Sequence, residues 1–421
     1  MRRLLIIFIW FLSLIFAIIY FHENPELVEK IKKYFKNEKN IKVAQQEGEI
    51  FRKPGNSFLV EITEVLSFSE KTAFIIHDKE NLNFDIDNLT IYFQNGYYLK
   101  KSNIDKINLP KTFTTVKNGG VKAIFIYKGK QFALISSLNK GCYYASIIFV
   151  DEAKEIFKTK CLPKKKIDYN GLGSSHIHSD DKIYLSIGAP EQVSSKIREL
   201  AQDINSFFGK IVEINLSNLD QIVTNKEENL QIDIFTLGHR NPQGMTKIND
   251  SFFSVEHGPL GGDELNKIIK NKNYGWPTVS YGTQYVHDEN GKYYEVNHED
   301  NRFEEPLFAL VPSVGISSLN ICPSILTNYY KKPCLLALSL YGNSLRPGRS
   351  IIIYLLNKKM DKVHSIEKIL LRDDLKLRHF VTNEKNELYE DKEGNIYISA
   401  DKKGIYKLSF VHFRNKNHLL Y

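Results

Sequence analysis

A chain of 421 residues, 42% hydrophobic and 25% charged, has the composition of a globular protein and room for one large repeat-built domain or two ordinary ones. Its net charge of +8 rests on Lys-rich runs such as Lys164-Lys165-Lys166 and the stretch Lys30 to Lys39. These lack the interleaved Arg and aromatic pattern of a nucleic-acid groove, so they read as solvated surface and argue against a nucleic-acid partner.

In chain order, Arg2 and Arg3 precede an apolar run from Leu4 to Phe21 in which only Ser13 is polar. That run can just span a hydrocarbon core as a helix, and the basic residues before it place the N-terminus in the cytoplasm. The bulky Ile18-Ile19-Tyr20-Phe21 disfavours a cleaved signal peptide against a retained anchor. Either way the body is exported, to the periplasmic or extracellular side, with the membrane as a partner of residues 1–22. Residues 23–47 form a charged spacer, with Leu27, Ile31 and Phe35 at helical spacing.

From about Gly48 the pattern changes to short strands rich in Ile, Phe, Tyr and Val between Asn, Gly, Lys and Asp turns. Examples are 57–62, 89–93, 121–127, 131–136, 143–150 and 211–216. Helical candidates are confined to 191–208 and 263–270. A turn-strand unit recurs in Asp180-Asp181-Lys182-Ile183-Tyr184-Leu185-Ser186, Asn249-Asp250-Ser251-Phe252-Phe253-Ser254-Val255 and Glu393-Gly394-Asn395-Ile396-Tyr397-Ile398-Ser399. Such recurrence in an all-β chain predicts a propeller of six blades over 48–421, with a two-domain β-sandwich protein as the alternative. Cys142, Cys161, Cys322 and Cys334 show no C-x-x-C spacing, which excludes a zinc knuckle. In an exported protein they are either two short-loop disulfides, Cys142–Cys161 and Cys322–Cys334, or buried thiols.

The densest polar stretch is Leu237 to Pro277. It holds Leu237-Gly238-His239-Arg240-Asn241-Pro242-Gln243-Gly244, then Glu256-His257-Gly258-Pro259, Gly261-Gly262-Asp263-Glu264 and Asn273-Tyr274-Gly275-Trp276-Pro277. With Ala201-Gln202-Asp203, Gly209-Lys210-Ile211, Glu305-Pro306-Leu307-Phe308 and Pro312 to Ser317 in the same order, it resembles the soluble pyrroloquinoline-quinone (PQQ) dependent glucose/sorbosone and aldose sugar dehydrogenases. The resemblance covers roughly 170–408. It implies a six-bladed β-propeller holding PQQ and calcium over its axis, and hydride transfer from the anomeric carbon of a sugar or related alcohol.

By that resemblance Arg240 and Asn241 approach the quinone oxygens, Gln243 supports the turn or cofactor edge, and the carbonyls of Gly258 and Pro259 ligate calcium. Those types suit the chemistry, since carboxylates call for planar cations and calcium for hard oxygens. Asp263 and Glu264 are read as organising their loop or capping the following helix. The chain departs from the family at several places, among them Gly188-Ala189-Pro190, where the family has Gly-Asp. Asn170 stands at the general-base position, where an amide cannot act as a base, so His176 and His178 are the substitute candidates. Tyr341 stands where the family has a cofactor-binding Lys. Lys376 and Arg378 are the best match to the family's paired cations, with Arg346 and Arg349 as extra cations nearby. An active PQQ- and calcium-dependent aldose dehydrogenase and a catalytically inactive propeller that serves as a binding module are the two readings. A lactonase or lyase would need converging carboxylates and His that the sequence does not display.

Overall fold

The structure is a computed structural model that describes residues 43–45, 50–77, 82–164, 166–191, 196–225, 229–283, 298, 302–341 and 349–412. The expected membrane helix (4–21) and charged spacer helix (23–40) lie outside these residues, as does Arg346. Among the described residues no helix is long and apolar enough to cross a membrane.

Six four-stranded antiparallel units follow one another around a ring, as the turn-strand repeat predicts. Blade 1 spans residues 72–106, blade 2 121–158, blade 3 176–237, blade 4 242–310 and blade 5 316–370. Blade 6 takes Leu377–Phe380, Ile396–Ala400 and Gly404–His412 from the end of the chain and Phe58–Phe68 from its beginning. That last pairing, from Gly404 opposite Ser67 to His412 opposite Phe58, closes the ring. Closure explains why the amino-terminal strand is so apolar, since Phe58, Val60 and Ile62 must fill the outer part of a blade built elsewhere in sequence. Two short strands, Val43–Gln45 and Phe51–Pro54, extend this sheet beyond Phe58–Phe68.

The first strand of each blade lies nearest the axis: Thr72–His77, Val121–Tyr127, His176–Ser179, Pro242–Ile248, Ile316–Ile321 and Leu377–Phe380. The core is not one body but a series of layers between neighbouring blades. Blades 1 and 2 share Phe74, Ile76, Ile124 and Ile135, while blades 4 and 5 share Phe253, Leu265, Ile316 and Ile352. The three repeat segments found in the sequence are equivalent second strands, Lys182–Ile187, Ser251–Glu256 and Ile396–Ala400. Their turns need a left-handed residue, supplied by Asp180, Asn249 and Gly394 at φ 50°, 51° and 82°.

Both candidate disulfides are formed. The helical readings need correction. Asp263–Ile268 is the third strand of blade 4 rather than a helix. Leu265 and Ile268 are spaced as on a helix, yet Leu265 packs between blades 4 and 5 and Ile268 between blades 3 and 4, the opposite faces of one strand. Of 191–208, only Lys196–Ala201 is helical among the described residues, as a short 3-10 turn. A helix not foreseen from the sequence, Leu216–Asn225, covers the rim of blade 3 by burying Leu219 and Ile222. A second, Ser324–Tyr330, buries Leu326.

Candidate functional site

All six blades contribute to one cavity of about 980 Å³ where the inner strands begin. Its most elaborately built wall is on blade 4. The backbone N–H of Arg240 donates to Glu256 Oε2 at 2.7 Å, and Glu256 Oε1 contacts His239 Nδ1 at 3.0 Å and accepts from Asn266 Nδ2 at 3.0 Å. Burial alone would raise the Glu256 carboxyl, but His239 and the amide donors hold it below its ordinary value. The charge beneath Arg240 therefore persists. The Arg240 guanidinium turns inward, donating from Nη1 to the carbonyls of His257 at 3.1 Å and Gly258 at 2.9 Å, and lies 5.2 Å from the Trp276 ring.

Asn241 works as a clamp. Its Oδ1 accepts from the Gly173 N–H and from Gln243 Nε2, both at 2.8 Å, and its Nδ2 donates to His257 Nδ1 at 3.2 Å. Because Nδ1 accepts, the neutral His257 ring carries its proton on Nε2. Burial and the nearby Arg240 lower its affinity for a second proton, against the pull of Asp263. The segment leading into blade 3 can approach this clamp only through glycine: a Cβ on Gly173 would sit 2.3 Å from the Pro242 carbonyl and 2.4 Å from Asn241 Oδ1. Asp263 pins the adjoining loop, its carboxylate accepting from the N–H groups of Gly258 at 3.2 Å, Val314 at 2.9 Å and Ile316 at 3.1 Å. That is the loop-organising role expected of it, exercised from a strand rather than a helix.

The cavity brings together, of the residues singled out in the sequence, Asn170, Arg240, Asn241, Gln243, Gly258, Pro259, Asp263, Tyr341 and Arg378. Tyr341 is 57% exposed and stands over Gly315, whose φ of +64° and missing Cβ leave room for the ring. Lys376 is not part of the lining, but its Nζ lies 5.9 Å from the Tyr341 ring. Arg378 forks onto Asp401, with Nε at 3.0 and 3.1 Å from the two carboxylate oxygens and Nη2 on Oδ2.

His176 and His178 are placed elsewhere. His176 is 1% exposed and packs against Phe74, Phe125 and His178, lining a separate small cavity with Gln243, His379 and Asn386. Burial holds its pKa well below the ordinary 6.5, and holds that of His178 at about 4. Neither lines the large cavity.

Sequence reasoning passed over Lys71, Lys122, Asp168, His257 and His379, which all line the large cavity. The signal was positional. Lys71, Lys122 and His379 sit immediately before or within the first three residues of an inner strand, where Arg378 also sits. Asp168 caps the turn Tyr169–Gly171 by accepting from the Asn170 N–H at 2.9 Å, and accepts from Asn118 Nδ2 at 3.0 Å.

The ring of blades has counterparts among known proteins. The family model described as Glucose / Sorbosone dehydrogenase matches residues 144–405. The aldose sugar dehydrogenase YliI of Escherichia coli K12 is 38% identical over 135 residues, covering 31% of this chain and 35% of that one. The quinoprotein glucose dehydrogenase B of Acinetobacter calcoaceticus is 34% identical over 133 residues, 26% of this chain and 28% of that one. These alignments thus span about a third of the curated relatives. Two solved structures extend the likeness of fold: a glucose dehydrogenase (TM-score 0.61, 19% identity) and the apo form of the E. coli aldose sugar dehydrogenase (TM-score 0.61, 18% identity). Each covers 83% of this chain, which covers 99% of each. With a family model matching well over half of its length, from blade 2 to blade 6, the chain belongs to the glucose/sorbosone dehydrogenase family.

Proposed function

We propose that the chain is a sugar dehydrogenase that binds PQQ in the axial cavity and oxidises an aldose or related sugar at its anomeric carbon. The observation that carries this reading is the blade 4 wall, in which Glu256, Asn241 and Asp263 hold Arg240 and the Gly258–Pro259 loop at the mouth of a cavity lined by cations. Its relatives' names point the same way: one is a quinoprotein glucose dehydrogenase, and a PQQ-bound aldose sugar dehydrogenase of Streptomyces coelicolor shares the fold at TM-score 0.50 and 14% identity.

The residues present suit a carboxylated quinone. Arg240 would face its oxygens, and Arg378, with Lys376 and Tyr341 beside it, would meet its carboxylates. The cofactor, when bound, supplies the two-electron acceptor that no side chain can. Calcium is a more demanding fit. The Gly258 carbonyl proposed as its ligand already accepts from Arg240 Nη1 at 2.9 Å, which leaves one lone pair for a cation beside the guanidinium. Among the described residues no group of three His, Cys, Asp or Glu side chains offers another metal site.

Asn170 lines the cavity at the base position, and His176 and His178 would serve as proton acceptors only if the packing around them opened. We assign that role instead to Asp168, a carboxylate two residues before Asn170 in the same lining. The second reading, a catalytically inactive binding propeller, is favoured by the Asn170 and Tyr341 changes. For cellular placement, we propose an exported body held by the N-terminal apolar run; the two disulfides support an oxidising compartment.

The test is reconstitution of residues 40–421 with PQQ and calcium, reading bound-quinone absorbance and sugar-dependent dye reduction. The dehydrogenase reading expects both. Quinone binding without turnover across a broad sugar panel establishes the second reading, and no quinone binding overturns the cofactor assignment. Asp168→Asn is expected to lower kcat by a factor of about 100 or more with KM little changed.

A further inference from the structure

Blade 1 stands across the ring from blade 4, and the wall it forms with blade 2 carries charge that the cofactor platform leaves unused. Lys71 immediately precedes the inner strand Thr72–His77, and Lys122 is the second residue of the neighbouring inner strand Val121–Tyr127; both line the cavity. Among the described residues neither forms an ion pair. Lys122 Nζ has a single acceptor, the Asn118 carbonyl at 2.9 Å. Lys210 shows how this fold satisfies an ammonium that it uses structurally: it is wholly buried and donates to the carbonyls of Leu200, Ala201 and Phe208 at 2.8–2.9 Å. Lys122 is only part-buried and faces the cavity with one protein acceptor in place of three.

The surroundings add like charge rather than relieve it. Burial, then Arg378 and Lys71, push the Lys122 ammonium down to about 7, with Asp168 as the opposing charge. Burial and Arg378 likewise lower Lys71. Of the acidic groups nearby, Asp401 is paired with Arg378, while Asp168 takes Asn118 Nδ2 and the Asn170 N–H on one oxygen and is the single carboxylate that offsets Lys122. Two under-compensated ammoniums in one cavity wall favour an anionic occupant, because a neutral one leaves their mutual repulsion in place.

We propose that Lys71 and Lys122 form a carboxylate-binding subsite, so that the sugar taken by this cavity is a uronic acid rather than a neutral aldose. This rests on the reading of the cavity as a sugar site. The lysine heads act as point charges that a flexible carboxylate can satisfy, unlike the planar fork of Arg240, and that suits a group at the end of a sugar ring.

The test is calorimetric titration of the full chain, with and without PQQ and calcium, using D-glucuronate and D-glucose, which differ by one carboxylate. Glucuronate is expected to bind about tenfold or more tighter at low salt, and Lys71→Gln with Lys122→Gln to abolish that preference while the unfolding midpoint does not fall. Equal affinities in the wild type, or a preference that survives the double substitution, overturns the subsite. If the preference holds while no sugar is oxidised, the subsite stands and the dehydrogenase reading fails. Glucose oxidation with no preference for glucuronate does the reverse: the dehydrogenase reading stands and the subsite falls. Loss of quinone absorbance in the double variant assigns the lysines to the cofactor's carboxylates and overturns the substrate assignment.

Discussion

The two walls of the axial cavity are built on opposite principles. On blade 4 the polar groups of the wall are answered: Arg240 gives its backbone N–H to Glu256 and its guanidinium to two carbonyls, with Glu191 at 3.9 Å, Glu256 is held by His239 and Asn266, and Asp263 answers backbone N–H groups. On blades 1 and 2 Lys122 leans on one backbone carbonyl, and Lys71 in turn helps to push its proton affinity down. A satisfied polar network fixes geometry before any ligand arrives, whereas an unsatisfied one leaves interaction free for the ligand. The first wall is therefore read as a rigid platform and the second as a recognition surface.

That contrast predicts a graded series. The largest effect falls on Asp263→Ala, which strands two buried amide donors and one part-buried one and is expected to cost about 3–4 kcal/mol in urea unfolding, with loss of the Gly258 loop geometry. Gly173→Ala comes next. Its new Cβ would meet the Pro242 carbonyl and the Asn241 amide, a collision expected to cost about 2 kcal/mol and to loosen the junction of blades 3 and 4. Lys71→Gln and Lys122→Gln, by contrast, should not lower the urea midpoint, since neither lysine makes a charged pair and the cavity disfavours the protonated form of both. A cost near that of Asp263→Ala would erase the distinction between the walls.

The same contrast carries a pH dependence. Lys122 has a folded-state value of about 7 against an ordinary 10.5, so between these values the unfolded chain binds more protons than the folded one. Burying this ammonium therefore costs stability fully below pH 7, and the cost fades as pH rises toward 10.5. Wild type should gain stability relative to Lys122→Gln over that window, measured as the difference in urea midpoint. A difference that stays constant with pH would mean that Lys122 is an ordinary exposed lysine.

The platform was legible in the sequence because its parts are contiguous: Arg240, Asn241 and Gln243 precede or begin one strand, and Gly258, Pro259 and Asp263 follow the next. The propeller was legible for a related reason, since three blades share a left-handed turn residue before the second strand and Asp180, Asn249 and Gly394 display it. The lysine wall was not. Lys71 and Lys122 lie 51 positions apart in a region where the family likeness fades, and only ring closure and blade order bring them to one cavity. The Asp263–Ile268 misreading has the same origin, because a strand buried on both faces loses the alternation that marks a half-buried one. His176 and His178 looked available because sequence shows a residue's type but not the Phe74 and Phe125 rings packed around it.

The division of labour between the walls is tested most directly by titrating PQQ, in the presence of calcium, into wild type, Arg240→Ala and the Lys71→Gln/Lys122→Gln double variant, following the quinone absorbance. Arg240→Ala is expected to weaken quinone binding by about tenfold or more, and the double lysine variant to bind it as wild type does. Equal loss in both variants, or full binding by Arg240→Ala, would contradict a rigid cofactor platform set against a separate recognition surface.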